Sequence, residues 1–361
     1  MDMVGQSPPT LKSGHGNKRS PEIKQIIMES SSITHFFIHK TLRLGLTLAL
    51  VSMLAFTLVS LSPIDPVTAY IGMDRMQISP EQESKIIARW GLDKAPLERF
   101  FIWCKNVAQG DLGVSMIFNE PVTEVISKRF LTSLNLMALA WFVSGILGFI
   151  LGVLAGMRHN SLLDRGIRLY AYIMASTPSF WMGMVLLSIF SVSLGWTPIC
   201  GAYPPGTIDT DATLWQRFHH LLLPAATLSL VGVAQIALHT REKMIDAMNS
   251  DYALFAASQG ESRTGIAIHH ALRNVALPAI TLQFASLGEL FGGSILAEQV
   301  FSYPGLGKAT VEAGIRGDVP LLLGITLFSA VFVFCGNAIA DLLYSTFDPR
   351  IKQNCEEQHL C

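Results

Sequence analysis

Five stretches of this chain carry no charged side chain over lengths that few soluble proteins sustain: Leu44–Ile64, Phe130–Met157, Leu169–Ile208, Phe218–Thr240 and Val319–Ala340. A sixth, Asn274–Ala297, is interrupted only by Glu289. A helix needs roughly 20 apolar residues to cross a hydrocarbon core about 30 Å thick, so each window can span a bilayer. Composition agrees: 15% of the residues are charged, against about 25% in soluble globular proteins, and mean hydropathy is +0.41. A net charge of −1 offers no polyelectrolyte ground for binding nucleic acid. The pattern predicts an all-α integral membrane protein with six transmembrane helices. The third window holds one span plus a loop, because Gly195, Pro198, Gly201 and the run Pro204-Pro205-Gly206 end its helix. Seven spans is the strained alternative.

Around these windows the chain divides readily. Residues 1–35 form an N-terminal extension, Ser/Gly/Pro/Lys-rich to about residue 32, and are expected to be disordered. The first apolar run, roughly Leu42–Leu61, is too long for a signal-peptide core and lacks a small-residue cleavage pattern, which makes it an uncleaved anchor. Residues 62–129 form a long polar segment with helical pieces around Glu81–Trp90 and Leu97–Val107. The later spans are expected at Leu131–Gly156, across Thr177-Pro178-Ser179-Phe180-Trp181, and at Leu221–Leu238, Leu277–Ala297 and Pro320–Tyr344. Gly148, Gly152 and Gly156 share one helix face and permit close approach of another helix. Pro178 removes a backbone hydrogen bond and kinks its span, either to line a translocation path or as a structural bend.

Between the fourth and fifth spans lies DYALFAASQGESRTGIAIHHALRNVALP, residues 251–278. It is too polar to extend either span. The small-residue run Ala253, Ala256, Ala257, Ser258 leads to Gly260, and a second helical pattern follows from Ile266 to Leu272. Pro278 then stands where the next helix tolerates proline best, at its start. The result is a compact helical hairpin on the membrane face, a shape that a soluble partner can grip.

Asp251-Tyr252, Ala256 four residues before Gly260, and His270 to Asn274 followed by Leu277-Pro278 resemble the EAA coupling loop of ABC-importer permeases, in the dipeptide/oligopeptide/nickel branch. Ser62-Pro-Ile-Asp-Pro66, Trp90-Gly-Leu-Asp-Lys94, Gly110-Asp-Leu-Gly113, the Pro178 motif, Glu298 through Pro304-Gly-Leu-Gly307, and Asp348-Pro-Arg-Ile-Lys352 are similar to the same family. The chain departs from it at Leu254, Ala257 and Gln259, where family members often carry basic residues. The resemblance implies a transmembrane domain over 36–352, with an external segment at 62–129, a coupling loop at 241–276 and a cytoplasmic tail at 353–361. Family members begin close to the first span, so Met28 is an alternative start to Met1. The resemblance also implies ATPase-coupling roles for Asp251, Tyr252, Ala256, Gly260, His270, Arg273 and Pro278. Its implied partners are a second permease subunit, two ATP-binding subunits and an extracytoplasmic solute-binding protein. The solute would be a short peptide, nickel or a related small molecule.

Short-loop charge sets the orientation. Lys40, Arg43, Arg158, Arg165, Arg168, Arg241, Lys243, Arg263, Arg273, Arg350 and Lys352 fall on one side, and Arg217, Lys308 and Arg316 on the other. Both termini and the hairpin are therefore expected in the cytoplasm of a multi-pass protein of the cell membrane. No G-x-x-x-x-G-K-[ST] phosphate loop is present, so ATP would be bound by partner subunits and the chain itself would need no cofactor and be no enzyme. H-E-x-x-H, G-x-S-x-G and paired C-x-x-C patterns are also missing. Cys104 and Cys200 could meet in a disulfide or stay free; Cys355, His359 and Cys361 could hold zinc or be incidental; His219 and His220 could touch a metal-bearing solute or sit as interface residues.

Glu289 is the one acid well inside a span, roughly 16 Å along its helix from Pro278. Near the midplane a lipid-facing charge costs about 2.5–3.5 kcal/mol, so it should line the solute path or bond a polar partner. A secondary transporter or channel, working without ATPases, is the competing function, and Glu289 is its slight support.

Overall fold

The computed structural model describes residues 21–61, 94–207 and 211–347. The motifs at 62–66 and 90–93, the helix expected over Glu81–Trp90, the Asp348–Lys352 motif and the Cys355/His359/Cys361 tail lie outside the described residues. The chain divides into two units, 1–46 and 47–361. The regular structure among the described residues is helical, and the one β feature there is an isolated bridge between Val114 and Pro121.

Helix α1 runs over Pro21–Ser60. Residues 21–35, expected to lack structure, are thus helical: proline suits a first helical turn, and Glu22, Lys24, Gln25 and Glu29 are good helix formers. Helix α2, Pro96–Ala108, matches the expected piece at 97–107 and buries Phe100 and Trp103 against Phe56, Val319 and Leu323. Helix α3, Val122–Met157, starts immediately after Pro121 and, beyond the charged first turns with Glu124, Lys128 and Arg129, is apolar on all sides from Phe130, as suits a membrane span.

The third window holds a break, not a kinked helix. Helix α4, Leu162–Ala175, and helix α5, Ser179–Leu186 with a wide π-type continuation to Ser193, meet at 104°. Proline disfavours the helical conformation in the residue before it and brings no amide to continue the ladder. Pro178 therefore ends one helix and opens the next.

Helix α6, Leu214–Met248, begins with a reciprocal cap in which Thr213 Oγ1 accepts from the Gln216 amide and Gln216 Oε1 accepts from the Thr213 amide. At 1.5 Å per residue it is about 50 Å long, well beyond the thickness of a hydrocarbon core. It runs through Arg241 and Lys243, where a loop was expected, and so carries its last turns past the apolar layer. The hairpin follows as α7, Asp251–Ser258, and α8, Arg263–Ile266, with a wide turn over Ala267–Ala271.

Helix α9, Leu272–Ala285, continues directly from that turn, so Pro278 lies inside a helix and not at its start. The second arm of the hairpin and the fifth span are one run, and the Asn274 carbonyl loses the amide that a residue other than proline would offer. Transmembrane helices tolerate such a loss where neighbours compensate. A second break, of 49°, separates α9 from α10, Leu287–Val300, at Ser286. Helix α11, Leu306–Ile315, and helix α12, Val319–Phe347, complete the chain. Among the described residues, four helices are long and apolar enough to cross a membrane, or up to six if each bent pair is one span.

The seam between α3 and α6 organises the bundle. A Cβ at Gly148 would stand 2.7 Å from Ile236 Cβ, at Gly152 2.5 Å from Thr240 Cβ, and at Gly156 2.5 Å from Met244 Cβ. The three glycines therefore let α6 approach to backbone contact, and the helix they were expected to admit is α6.

Candidate coupling hairpin and transport face

The hairpin turns on Gly260, whose φ of +84° lies in the left-handed region that glycine occupies without strain. Its inner face is small and apolar: Ala253 and Ala256 pack on Ile266 and Met248. Ala256 is buried, so it closes the hairpin and does not form its outer surface. A larger side chain there would prise α7 from α8. The outer face is apolar as well. Tyr252, Leu254, Phe255 and Ile268 are 39%, 61%, 67% and 58% exposed on the single chain. Asp251 opens α7 in its first turn, where a carboxylate complements the helix dipole, and is exposed.

Glu261, directly after the turn, ties the hairpin to its second arm. Its two oxygens accept from His269 Nδ1 and His270 Nε2, each at 2.9 Å. These bonds, His269 first and His270 second, hold the Glu261 carboxyl below the usual carboxylate range. His270 thus has an internal partner, while Arg273 is exposed one turn further along. Glu261 and His269 escaped sequence reasoning because their link depends on the wide turn at Ala267–Ala271.

The hairpin's other root is a buried ion pair. Arg241 of α6 makes two contacts to the fully buried Asp164 of α4, that to Oδ2 at 2.9 Å, and the Asn160 amide donates to the same carboxylate. Ser161 caps α4 by accepting from the Asp164 amide. The Ser161/Asp164 spacing is a legible helix start and Arg168 lies one turn along at 3.7 Å, but the bidentate partner Arg241 lies on another helix and gave no local signal.

Two more buried carboxylates fasten the opposite end of the bundle. Glu298 accepts from Ser133 Oγ at 2.6 Å and from the Lys308 amide at 3.0 Å, while Ser133 Oγ accepts from the Leu306 amide at 2.7 Å. The acid thereby folds the Pro304-Gly-Leu-Gly307 turn around itself: a Cβ at Gly305 would collide with its carboxylate, and one at Gly307 with the backbone of Ile295. Asp318 accepts from Ser115 Oγ at 2.6 Å, the Ile117 amide at 3.0 Å and the Leu321 amide at 3.1 Å, joining the segment before α3 to the start of α12.

Glu289 stands in the first turn of α10, just past the break at Ser286. It is exposed on the single chain, and Gln235 Nε2 of α6 donates to its Oε1 at 2.8 Å. Pro178 is likewise exposed, at the break between α4 and α5. The two helix breaks thus carry both residues proposed for the path. His219 and His220 serve the loop before α6: His219 Nε2 lies 2.9 Å from the Trp196 carbonyl, and His220 Nδ1 lies 3.2 Å from those of Cys200 and Gly201. Among the described residues no three ligating side chains gather as a metal site, and Cys104 and Cys200 are free thiols.

A helical bundle in which four to six stretches among the described residues are long and apolar enough to cross a membrane defines a multi-pass membrane protein. The binding-protein-dependent transport system inner membrane component family matches residues 148–353. Curated relatives extend the match to nearly the whole chain. The oligopeptide transport system permease protein AppB of Bacillus subtilis is 35% identical, over 88% of this chain and 99% of its own length. The di/tripeptide transport system permease protein DppB of Pseudomonas aeruginosa is 34% identical, over 86% and 97%. A putative peptide permease protein of Brucella suis is 35% identical, over 86% and 96%. The chain belongs to the binding-protein-dependent transport system inner membrane component family.

Proposed function

We propose that this chain is one of two membrane subunits of an ATP-driven importer of short peptides, which it receives from an extracytoplasmic binding protein. One of two ATPase subunits would grip the 251–278 hairpin, with Tyr252, Leu254, Phe255 and Ile268 filling an apolar groove on that subunit. The observation that carries the reading is this outward apolar face on a hairpin whose inner face is already packed. Relatives named for oligopeptides and for di- and tripeptides support peptide over nickel. Six spans follow if α1, α3, α4 with α5, α6, α9 with α10, and α12 each cross once, which puts both termini and the hairpin in the cytoplasm.

In this mechanism ATP is bound and hydrolysed by the partners, and this chain transmits their motion. The long α6 leads straight into the hairpin, and the buried Arg241–Asp164 pair ties its final turns to α4. Movement of the hairpin would therefore carry α6 and α4 together, while the breaks at Pro178 and Ser286 allow the half-helices beyond them to tilt separately.

The test is reconstitution of the membrane pair with its ATPases and binding protein in vesicles. Peptide uptake should require ATP and all the subunits. Uptake driven by an ion gradient through the membrane chains alone would establish the secondary-transporter alternative.

A further inference from the structure

Helix α10 carries two acids in opposite settings. Glu298 is fully buried and takes hydrogen bonds from Ser133 and the Lys308 amide, as befits a carboxylate whose task is to hold a fold. Glu289, on the uncovered side, has a single partner among the described residues, the Gln235 amide. No basic side chain pairs with it there. The exposed face continues at Gly292 and Leu296, at helical spacing, and a Cβ at Gly292 would meet nothing within 4 Å.

Depth makes this arrangement informative. Glu289 lies about 20 Å of helix from both Val275 and Phe301, midway through the apolar run. An acid at that depth facing hydrocarbon is strongly disfavoured, and such residues face an aqueous cavity or a protein partner. Gln235 orients one oxygen and supplies no charge, so the carboxylate retains capacity for a cation beside an open glycine. Broken helices with a polar group near the break, at mid-depth, are where transporters place solute sites.

We propose that Glu289, oriented by Gln235, forms a cation-accepting site in the solute path that takes the protonated amino terminus of a passing peptide. The cation site rests on the chain's own geometry, and its peptide ligand rests on the importer reading above. Attraction to an ammonium group favours peptides with a free amino end, and Gly292 leaves room for their first side chain.

The experiment uses the assembled importer with the chain's own cysteines replaced by serine and a cysteine placed at Gly292. Modification by the cationic aminoethyl methanethiosulfonate is compared with that by the anionic sulfonatoethyl reagent. With Glu289 present, the cationic reagent should be favoured by about fivefold or more, and Glu289→Gln should bring the ratio close to that of a free thiol. In parallel, Glu289→Gln should lower uptake of a tripeptide with a free amino end, with subunit assembly and melting temperature unchanged, and Glu289→Asp should restore much of it. A ratio indifferent to Glu289→Gln overturns the proposal. So does a cysteine at Gly292 that neither reagent reaches, or loss of the second permease subunit in Glu289→Gln, either of which would make this face a lipid or subunit contact. The thiol ratio needs no peptide transport, so failure of the importer reading would show separately, as absence of peptide uptake in the unmodified complex.

Discussion

Where α10 turns into α11, the fully buried Glu298 is bound by a serine hydroxyl and a backbone amide, and Asp318 nearby joins three further donors. At the hairpin end the comparable acid, Glu261, is only half-buried and is held by two exposed histidines. The far end is thus fixed by carboxylates that would leave several buried donors unsatisfied if removed, a large penalty. Beyond the buried Asp164–Arg241 pair at its root, the hairpin is closed by small apolar contacts and one accessible clamp, and its outer face is left uncovered. The far end is held from within, whereas the hairpin leaves an apolar face uncovered on the single chain.

Mutations should separate these two designs. Glu298→Ala strands the Ser133 hydroxyl and the Lys308 amide inside the protein and should cost about 3 kcal/mol, seen as a large drop in melting temperature in detergent. A wild-type melting temperature would mean that the far end is not fastened as described. Gly152→Val sits between the two ends, on the α3–α6 seam, where even a Cβ would lie 2.7 Å from the Ala237 carbonyl. Forcing the helices apart should cost about 2 kcal/mol and weaken both ends together. Gly260→Val puts a β-branched residue at φ +84°, at a local expense of about 1–2 kcal/mol. It should open the hairpin to protease while barely moving the global transition, and loss of global stability instead would erase the distinction between the ends.

Much of this was legible in the sequence, for physical reasons. Windows free of charge, save for Glu289 in one of them, marked the apolar helices, because the bilayer disfavours charge over a fixed length. The Gly148/Gly152/Gly156 spacing marked a close contact, and Gly260 marked the turn, because no other residue serves there without strain. What stayed hidden depends on distant partners or on backbone beyond the local pattern. Asp164 and Asp318 are unremarkable acids, and Glu298 opens a motif without a visible task, until the fold brings their donors to them. The break at Ser286 has no proline to announce it. Pro278 was misplaced because the hairpin was assumed to end before the membrane, whereas its second arm runs straight into α9.

The most direct test of the account concerns Leu254 and Phe255, whose side chains are 61% and 67% exposed. Substituting both with alanine keeps the helix and should change the chain's stability by no more than about 0.5 kcal/mol. Affinity purification of the full chain from membranes, with quantification of copurifying ATPase subunits, decides the matter. The account predicts that the ATPases copurify with the wild type and are lost from Leu254→Ala/Phe255→Ala, while the melting temperature and the second permease subunit are retained. Equal recovery of ATPases with both proteins, or none with the wild type, would contradict it.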